Sequence, residues 1–229
     1  MKIVPVDAEI RASPTFEGLR RAWPEVVFHD AISNANWGRL YDERPEFQFA
    51  LVEDGDVLAE GNSIPVAGAP ATWRDALRTG FDAKQPDRLC AVAILIGPEH
   101  QRRGLSRLML DHMRGLAHER GWDLVAPVRP SLKHRYPLIA MERFASWRRA
   151  DGTLLDPWLR THERLGAEVL AVAPESMRIE APVADWERWT GMSFPEDGEY
   201  VVDGGLVPVR FENGVGLYVE PNVWMHHPV

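Results

Sequence analysis

The chain has 229 residues, 45% of them hydrophobic and 26% charged, with a formal net charge of −8. That length holds one large domain of roughly 150–200 residues plus an extension, or two small ones, and the ordinary composition excludes a fibrous or disordered protein. The acidic balance argues against general nucleic-acid binding, which needs basic surface to displace counterions. No apolar run reaches the roughly 18–20 residues that cross a bilayer. Met1-Lys2-Ile3-Val4-Pro5 opens no signal-peptide pattern before Asp7 and Glu9, so the expectation is a cytoplasmic protein with no membrane partner. The single cysteine, Cys90, excludes an intrachain disulfide and lies in an apolar run, where it reads as a buried thiol.

Lys2–Val6 reads as a short first strand. Thr15–His29 and Ile32–Arg44, with mixed apolar periodicity, read as one or two helices. Residues 46–52 and 57–60, joined through Asp54-Gly55, form a hairpin signal because Asp-Gly tolerates positive φ. Ala71–Gly80 is a short helical stretch between loops rich in proline and glycine. Arg88–Ile96 is nearly all apolar, as expected of a central strand covered on both faces. From Gly104 to Arg120, Leu105, Leu108, Met109, Met113, Leu116 and Ala117 recur at helical steps up to Gly121.

Asp123–Val128 reads as the next strand, with Pro127 and Pro130 restricting it to a short run or an edge. Asp156–Leu165 is a helix with Pro157 in its first turn and Gly166 past its end. Ala167–Val172 and Ser176–Glu180 read as the last two strands of the main sheet. Asp185–Trp189 reads as a short helix, and 205–212 with 214–220, hinged at Asn213-Gly214, as a second hairpin. The expected organisation is a main domain over 1–180 and a C-terminal extension over 181–229, a short helix and β-hairpin packed on it. The exposed hairpin could serve as a homodimer interface or as a lid.

The most informative segment runs from that apolar strand through Gly97-Pro98-Glu99-His100 and Gln101-Arg102-Arg103-Gly104-Leu105-Ser106 into the amphipathic helix. A glycine turn opening a helix gathers unpaired N–H groups and the positive end of the helix dipole, which suits a pyrophosphate. Arg102 and Arg103 add charge beside it. A plain strand–turn–helix junction with solvated arginines is the alternative reading.

These residues resemble the GNAT signature, Gln/Arg-x-x-Gly-x-Gly/Ala between the fourth strand and third helix. Gln101, Gly104 and Ser106 stand at its three positions, Ser106 replacing the usual Gly or Ala. The resemblance follows element order over residues 1–180 and is sharp over 90–125. It implies an α/β (α+β) fold: a mixed central sheet flanked by helices, with the fourth and fifth strands splayed apart. It also implies acetyl-CoA or another acyl-CoA as co-substrate, with its pantetheine arm pairing with the backbone of Ile94 and Ile96 and the Ile94 N–H polarising the thioester carbonyl.

Leu159–Ala167 resembles the family's Tyr-Glu-Lys-x-Gly-Phe stretch, whose tyrosine protonates the departing thiolate. His162 stands four residues before Gly166, where that tyrosine would be. An imidazole can take the role; a packing or capping histidine is the alternative. Glu60 is a candidate base acting through water, ahead of Glu99 and His100, and a solvated charge is its alternative reading. Arg129, Lys133, His134 and Arg135 form the densest basic cluster, able to hold an acidic acceptor or the donor's phosphates. His226-His227 has no cysteine partner or His-x-x-x-His spacing, so no metal is expected.

The reading is an N-acyltransferase that moves an acetyl or other short acyl group from acyl-CoA to the amine of a small molecule. One alternative keeps the fold with aminoacyl-tRNA as donor, the one route by which a nucleic acid would become a partner. The other is a non-catalytic CoA-binding sensor or interaction module, favoured by the missing tyrosine.

Overall fold

The computed structural model describes residues 1–228. In chain order the elements are β1 (Lys2–Pro5), α1 (Ala8–Arg11), α2 (Pro14–Gly18), α3 (Ala31–Glu43), β2 (Gln48–Glu53), β3 (Asp56–Val66), α4 (Trp73–Thr79), β4 (Arg88–Ile96), α5 (Leu105–His118), β5 (Asp123–Val128), α6 (Met141–Ala145), α7 (Pro157–Arg164), β6 (Glu168–Pro182), α8 (Val183–Thr190), β7 (Gly198–Tyr200), β8 (Val209–Glu212) and β9 (Val215–His227). The strands form one mixed nine-stranded sheet in the order β1-β2-β3-β4-β5-β9-β8-β7, with β6 paired to β9 on the opposite flank from β5 and β8.

Period-two burial in the central strands sets the two layers. Leu89, Ala91, Leu124, Ala126 and Val128 face α5, α6 and α7, packing against Leu105, Met109, Met113, Phe144 and Leu159. Cys90, Val92 and Val125 face the other way, against Leu40 of α3, Trp73 and Leu77 of α4 and Trp186 of α8. Cys90 is fully buried, and that burial raises its thiol's pKa. Among the described residues no helix is long and apolar enough to cross a membrane.

Both expected hairpins form. Asp54 and Gly55 at φ +52° and +93°, and Asn213 and Gly214 at +52° and +79°, take the left-handed conformation that two-residue turns demand. The second hairpin, however, is no separate extension. Its return arm continues to His227 and lies between β5 and β6, pairing Val128 with Val223 on one flank and Val172 with Val223 on the other. The division at residue 180 is therefore corrected: the last strand of the chain completes the middle of the sheet. The two strands expected over 167–180 are likewise one strand, β6, with a register irregularity between Ala173 and Met177.

β5 is internal rather than an edge. Pro127 is tolerated because it falls beyond Val125, where β5 has already lost β4 as a partner.

Two irregularities set apart the C-terminal half of β4. Its register with β3 shifts between Asn62 and Ser63, where Val92 is the extra residue, so Val92 and Ala93 both pack on the α3–α4 side. Its pairing with β5 covers only Arg88–Cys90 against Asp123–Val125. From Ala91 onward the two strands part.

Candidate active site

β4 ends at Ile96, and the chain turns through Gly97–Gln101 before α5. Arg102 and Gly104 both hold left-handed conformations, φ +64° and +78°, which folds the backbone N–H groups of this stretch inward like a nest. Gly104 is the N-cap of α5 and provides no side-chain acceptor, so the Leu105 and Ser106 N–H groups are left uncapped, while Arg107 N–H donates to the Gly104 carbonyl at 3.1 Å. A Cβ on Gly104 would project into open space, which keeps the mouth of the turn clear. Gln101, Arg102, Arg103 and Gly104 are exposed, whereas the Leu105 side chain is buried in the core and contributes only its backbone. Arg103 is anchored, with Nη2 3.1 Å from Glu53 and Nη1 3.3 Å from His100 Nδ1. This donor set, backbone N–H groups at the positive end of a helix dipole with the exposed Arg102 next to them, suits an anion chemically.

The free edge of β4 leads away from this turn. Gly97 N–H donates to the Leu58 carbonyl of β3 at 3.0 Å. By the alternation of antiparallel pairing, Leu95 and Ala93 also turn their backbone groups toward β3, while Ile94 and Ile96 turn theirs to the flank that β5 has left. Those unpaired groups can receive an extended amide-bearing chain as a sheet edge receives a strand.

His162 lies on α7, which Asp156 caps by accepting from the Trp158 and Leu159 N–H groups at 2.9 and 3.0 Å. It is no surface residue. Only 1% exposed, it hydrogen-bonds through Nδ1 to Nε2 of His227 on β9 at 2.9 Å and meets the Trp158 ring edge to face. Its Nε2 is buried without a partner. Burial, then the neighbouring His227, push its imidazole pKa well below the ordinary value.

Glu60 sits on the opposite face of the sheet, on β3 across from Leu95. It is 5% exposed, so the solvated-charge alternative fails. Tyr41 of α3 donates its hydroxyl to Glu60 Oε1, and Asn62 Nδ2 donates to the same oxygen at 2.9 Å. Burial raises the carboxyl pKa against the opposing pull of those two hydrogen bonds and of Arg11. Asn62 Oδ1, beside the β4 bulge, is buried and unpartnered. Glu60 and His162 thus lie on opposite faces of the sheet, on either side of β4.

The basic cluster divides. Arg129 Nε bonds both Glu220 oxygens at 3.0 and 3.1 Å, and Lys133 is fully buried, donating to the Tyr136, Pro137 and Leu206 carbonyls. Both tie loops to β9 and its neighbours, while His134 and Arg135 remain exposed. Glu99 pairs at 3.7 Å with Arg21 on the surface. No group of three potential metal-ligating side chains occurs among the described residues.

Sequence reasoning missed Asn62, Tyr41 and His227. A signal existed for Asn62, since on a strand residues 60 and 62 share a face. His227 was weighed only as a metal ligand.

The solved structures that match include two that cover 99% or more of this chain. The GNAT-like decarboxylase GphF, in complex with isobutyryl-CoA, superposes with a TM-score of 0.61 at 16% identity, over 100% of this chain and 99% of that one. The loading GNATL domain of CurA from Lyngbya majuscula gives 0.58 at 17%, over 99% and 96%. The nine-stranded mixed sheet, with β4 and β5 parted and a turn leading into α5, has the GNAT fold of these two structures. No described family matches by sequence profile. Among curated proteins, the arginine N-acetyltransferase avaD of Aspergillus versicolor is 29% identical over 248 aligned positions, covering 90% of this chain and 85% of that protein.

Proposed function

We propose that this chain is an acyl-CoA-dependent N-acyltransferase acting on the amine or guanidine of a small molecule, with arginine as the first acceptor to test. The carrying observation is the continuity of two donor sets. The uncapped α5 turn, with Arg102 and Gly104 left-handed, leads directly back along the unpaired Ile94–Ile96 edge of β4. Phosphates on the first and a pantetheine arm on the second bring a thioester to the point where β4 leaves β5. Arginine enters through the 29% identical relative named for that activity.

In this reading the Gln101–Ser106 backbone and the Arg102 side chain hold the phosphates. Ser106, at the third signature position, is half-buried in the first helical turn and adds a small hydroxyl donor. The acceptor nitrogen attacks the thioester carbonyl, whose oxygen the Ile94 N–H stabilises. Glu60, a buried carboxylate with a raised pKa, is suited to take the acceptor's proton through water. His162, with an unpartnered Nε2, protonates the leaving thiolate.

The test is a thiol-release assay with acetyl-CoA against arginine and a panel of amines, with mass spectrometry of the product. Acceptor-dependent release matched by an acylated product is expected. Absence of release across the panel, with bound acyl-CoA recovered intact, would overturn the reading.

A further inference from the structure

Both hydrogen bonds that reach the Glu60 carboxylate fall on one oxygen. Tyr41 of α3 donates its hydroxyl to Oε1, and Asn62 Nδ2 donates to the same atom at 2.9 Å. Oε2 receives none among the described residues, and it is not sealed from solvent as Asn62 Oδ1 is. Two donors on one oxygen oppose rotation of the carboxylate and keep the other oxygen open. Glu60 stands across from Leu95 of β4, one residue past Ile94. Neighbouring strands run about 4.8 Å apart, so the open oxygen belongs to the strand next to the edge proposed to hold the thioester.

The two donors are not equivalent. Gln48 Nε2 donates to the Arg44 and Ser63 carbonyls, each at 2.9 Å, which turns Gln48 Oε1 toward Asn62 Nδ2 at 3.2 Å. Asn62 Nδ2 also meets the Tyr41 oxygen at 3.3 Å, so its two hydrogens are divided among three acceptors. The single hydroxyl hydrogen of Tyr41 goes to Glu60 alone. We propose that Tyr41 is the positioning residue of the proton transfer: its hydroxyl holds Glu60 Oε1 and leaves Oε2 as the atom that receives the acceptor's proton. The proposal rests on Glu60 being the base of the proposed reaction. As the N–C bond forms and the C–S bond breaks, the acceptor nitrogen loses one proton through water to Oε2, and Tyr41 keeps its own. The carboxyl then returns the proton to solvent through the same open oxygen.

Tyr41 also acts on the charge of the carboxyl. Burial opposes ionisation of Glu60, and the donors Tyr41 and Asn62, with Arg11, work against that burial. Arg11 of α1 is shared with Asp42 at 3.6 Å, while β2 and β4 set only Ala50 and Leu95 across from Glu60. Burial and the Glu60 charge raise the pKa of the Tyr41 hydroxyl, so it stays a donor while the carboxyl titrates. The ring has supports of its own: the Arg11 guanidinium lies 4.5 Å over it, and Phe16 meets it edge to face. Removal of the hydroxyl alone therefore leaves the ring seated.

The experiment compares the full chain with Tyr41→Phe, Glu60→Gln and the double variant, using acetyl-CoA and arginine, with kcat followed between about pH 5 and about pH 9. In parallel the Glu60 carboxyl is titrated by carbon-13 NMR, its signal assigned by its loss in Glu60→Gln. Tyr41→Phe is expected to move the acid limb of kcat and the Glu60 midpoint together, by about 1 pH unit upward. Below the limb kcat then falls about 10-fold, above it the two proteins agree within about 3-fold, and KM for acetyl-CoA holds within about 2-fold. In the Glu60→Gln background the same substitution changes kcat by less than about 2-fold. A uniform fall in kcat, or none, with limb and midpoint in place beside a slow Glu60→Gln, overturns the role of Tyr41 and leaves Glu60 as the base. Wild-type kcat in Glu60→Gln, or a midpoint that moves while the limb stays, overturns the base assignment and the proposal together. If Tyr41→Phe fails to bind CoA, Tyr41→3-fluorotyrosine decides, since it keeps ring and hydroxyl and is the stronger donor. A limb moved to lower pH supports the proposal, and an unmoved one contradicts it.

Discussion

His162 Nδ1 and His227 Nε2, 65 residues apart in sequence, are joined at 2.9 Å in a buried contact between α7 and the last strand. Two neutral imidazoles in the interior make stability depend on pH. The pKa of His227 is pushed down to about 4 from the ordinary 6.5, chiefly by burial, and that of His162 also lies well below it. Below pH 6.5 the unfolded chain binds protons that the folded one refuses. The stabilisation is therefore complete above about 6.5 and is lost as pH falls toward 4, with His227 alone contributing on the order of 3 kcal/mol. Urea midpoints at pH 7 and 4.5 should fall steeply for the wild type and less for His227→Gln.

Glu60 makes the opposite prediction for stability and activity. Its carboxyl is buried with a raised pKa, so at neutral pH a charge in this place is a cost to folding. A Glu60→Gln side chain can still accept from Tyr41 and Asn62 through its oxygen. The variant should melt no lower than the wild type at pH 8 while kcat falls about 100-fold. Calorimetry and steady-state kinetics at that pH check both halves.

Gly104 should separate donor binding from chemistry. At φ +78°, a β-branched residue costs about 1–2 kcal/mol of backbone strain, and its Cβ would stand in the open mouth of the turn. Gly104→Val is expected to raise KM for acetyl-CoA about 10-fold or more while kcat at saturation holds near wild type. A fall in kcat at unchanged KM would move the phosphates elsewhere.

Arg129, half-buried, pairs with the buried Glu220, which also accepts from Tyr218 at 2.5 Å and Asn222 at 3.3 Å. Glu220→Ala leaves the half-buried guanidinium with the Gly204 carbonyl at 2.6 Å as a remaining partner and should cost about 1–3 kcal/mol. Denaturant titration would show this as a lowered midpoint.

The parts of this molecule that are legible in its sequence are those set by neighbours in the chain. Arg88–Ile96 is apolar because it is covered on both faces, Gly104 begins a helix whose apolar stripe is continuous, and Asp54-Gly55 and Asn213-Gly214 need positive φ. These signals are local, and β4, α5 and both turns follow from them. The destination of β9 is not local: nothing in Val215–His227 says that it will enter between β5 and β6 rather than close a separate hairpin. The site divides the same way. The turn proposed to hold the phosphates lies within six residues, whereas Tyr41 reaches Glu60 from another element, and His227 reaches His162 from 65 residues away. Arg129 looked like a ligand-binding cation for the same reason, since its partner Glu220 is 91 residues away.

The central claim, that the turn before α5 and the open edge of β4 hold an acyl-CoA, is tested most directly by titrating CoA calorimetrically into the wild type and Gly104→Val. The account predicts one saturable site per chain in the wild type and binding weakened about 10-fold or more in the variant. Equal affinities in the two proteins, or no binding to the wild type, would contradict it.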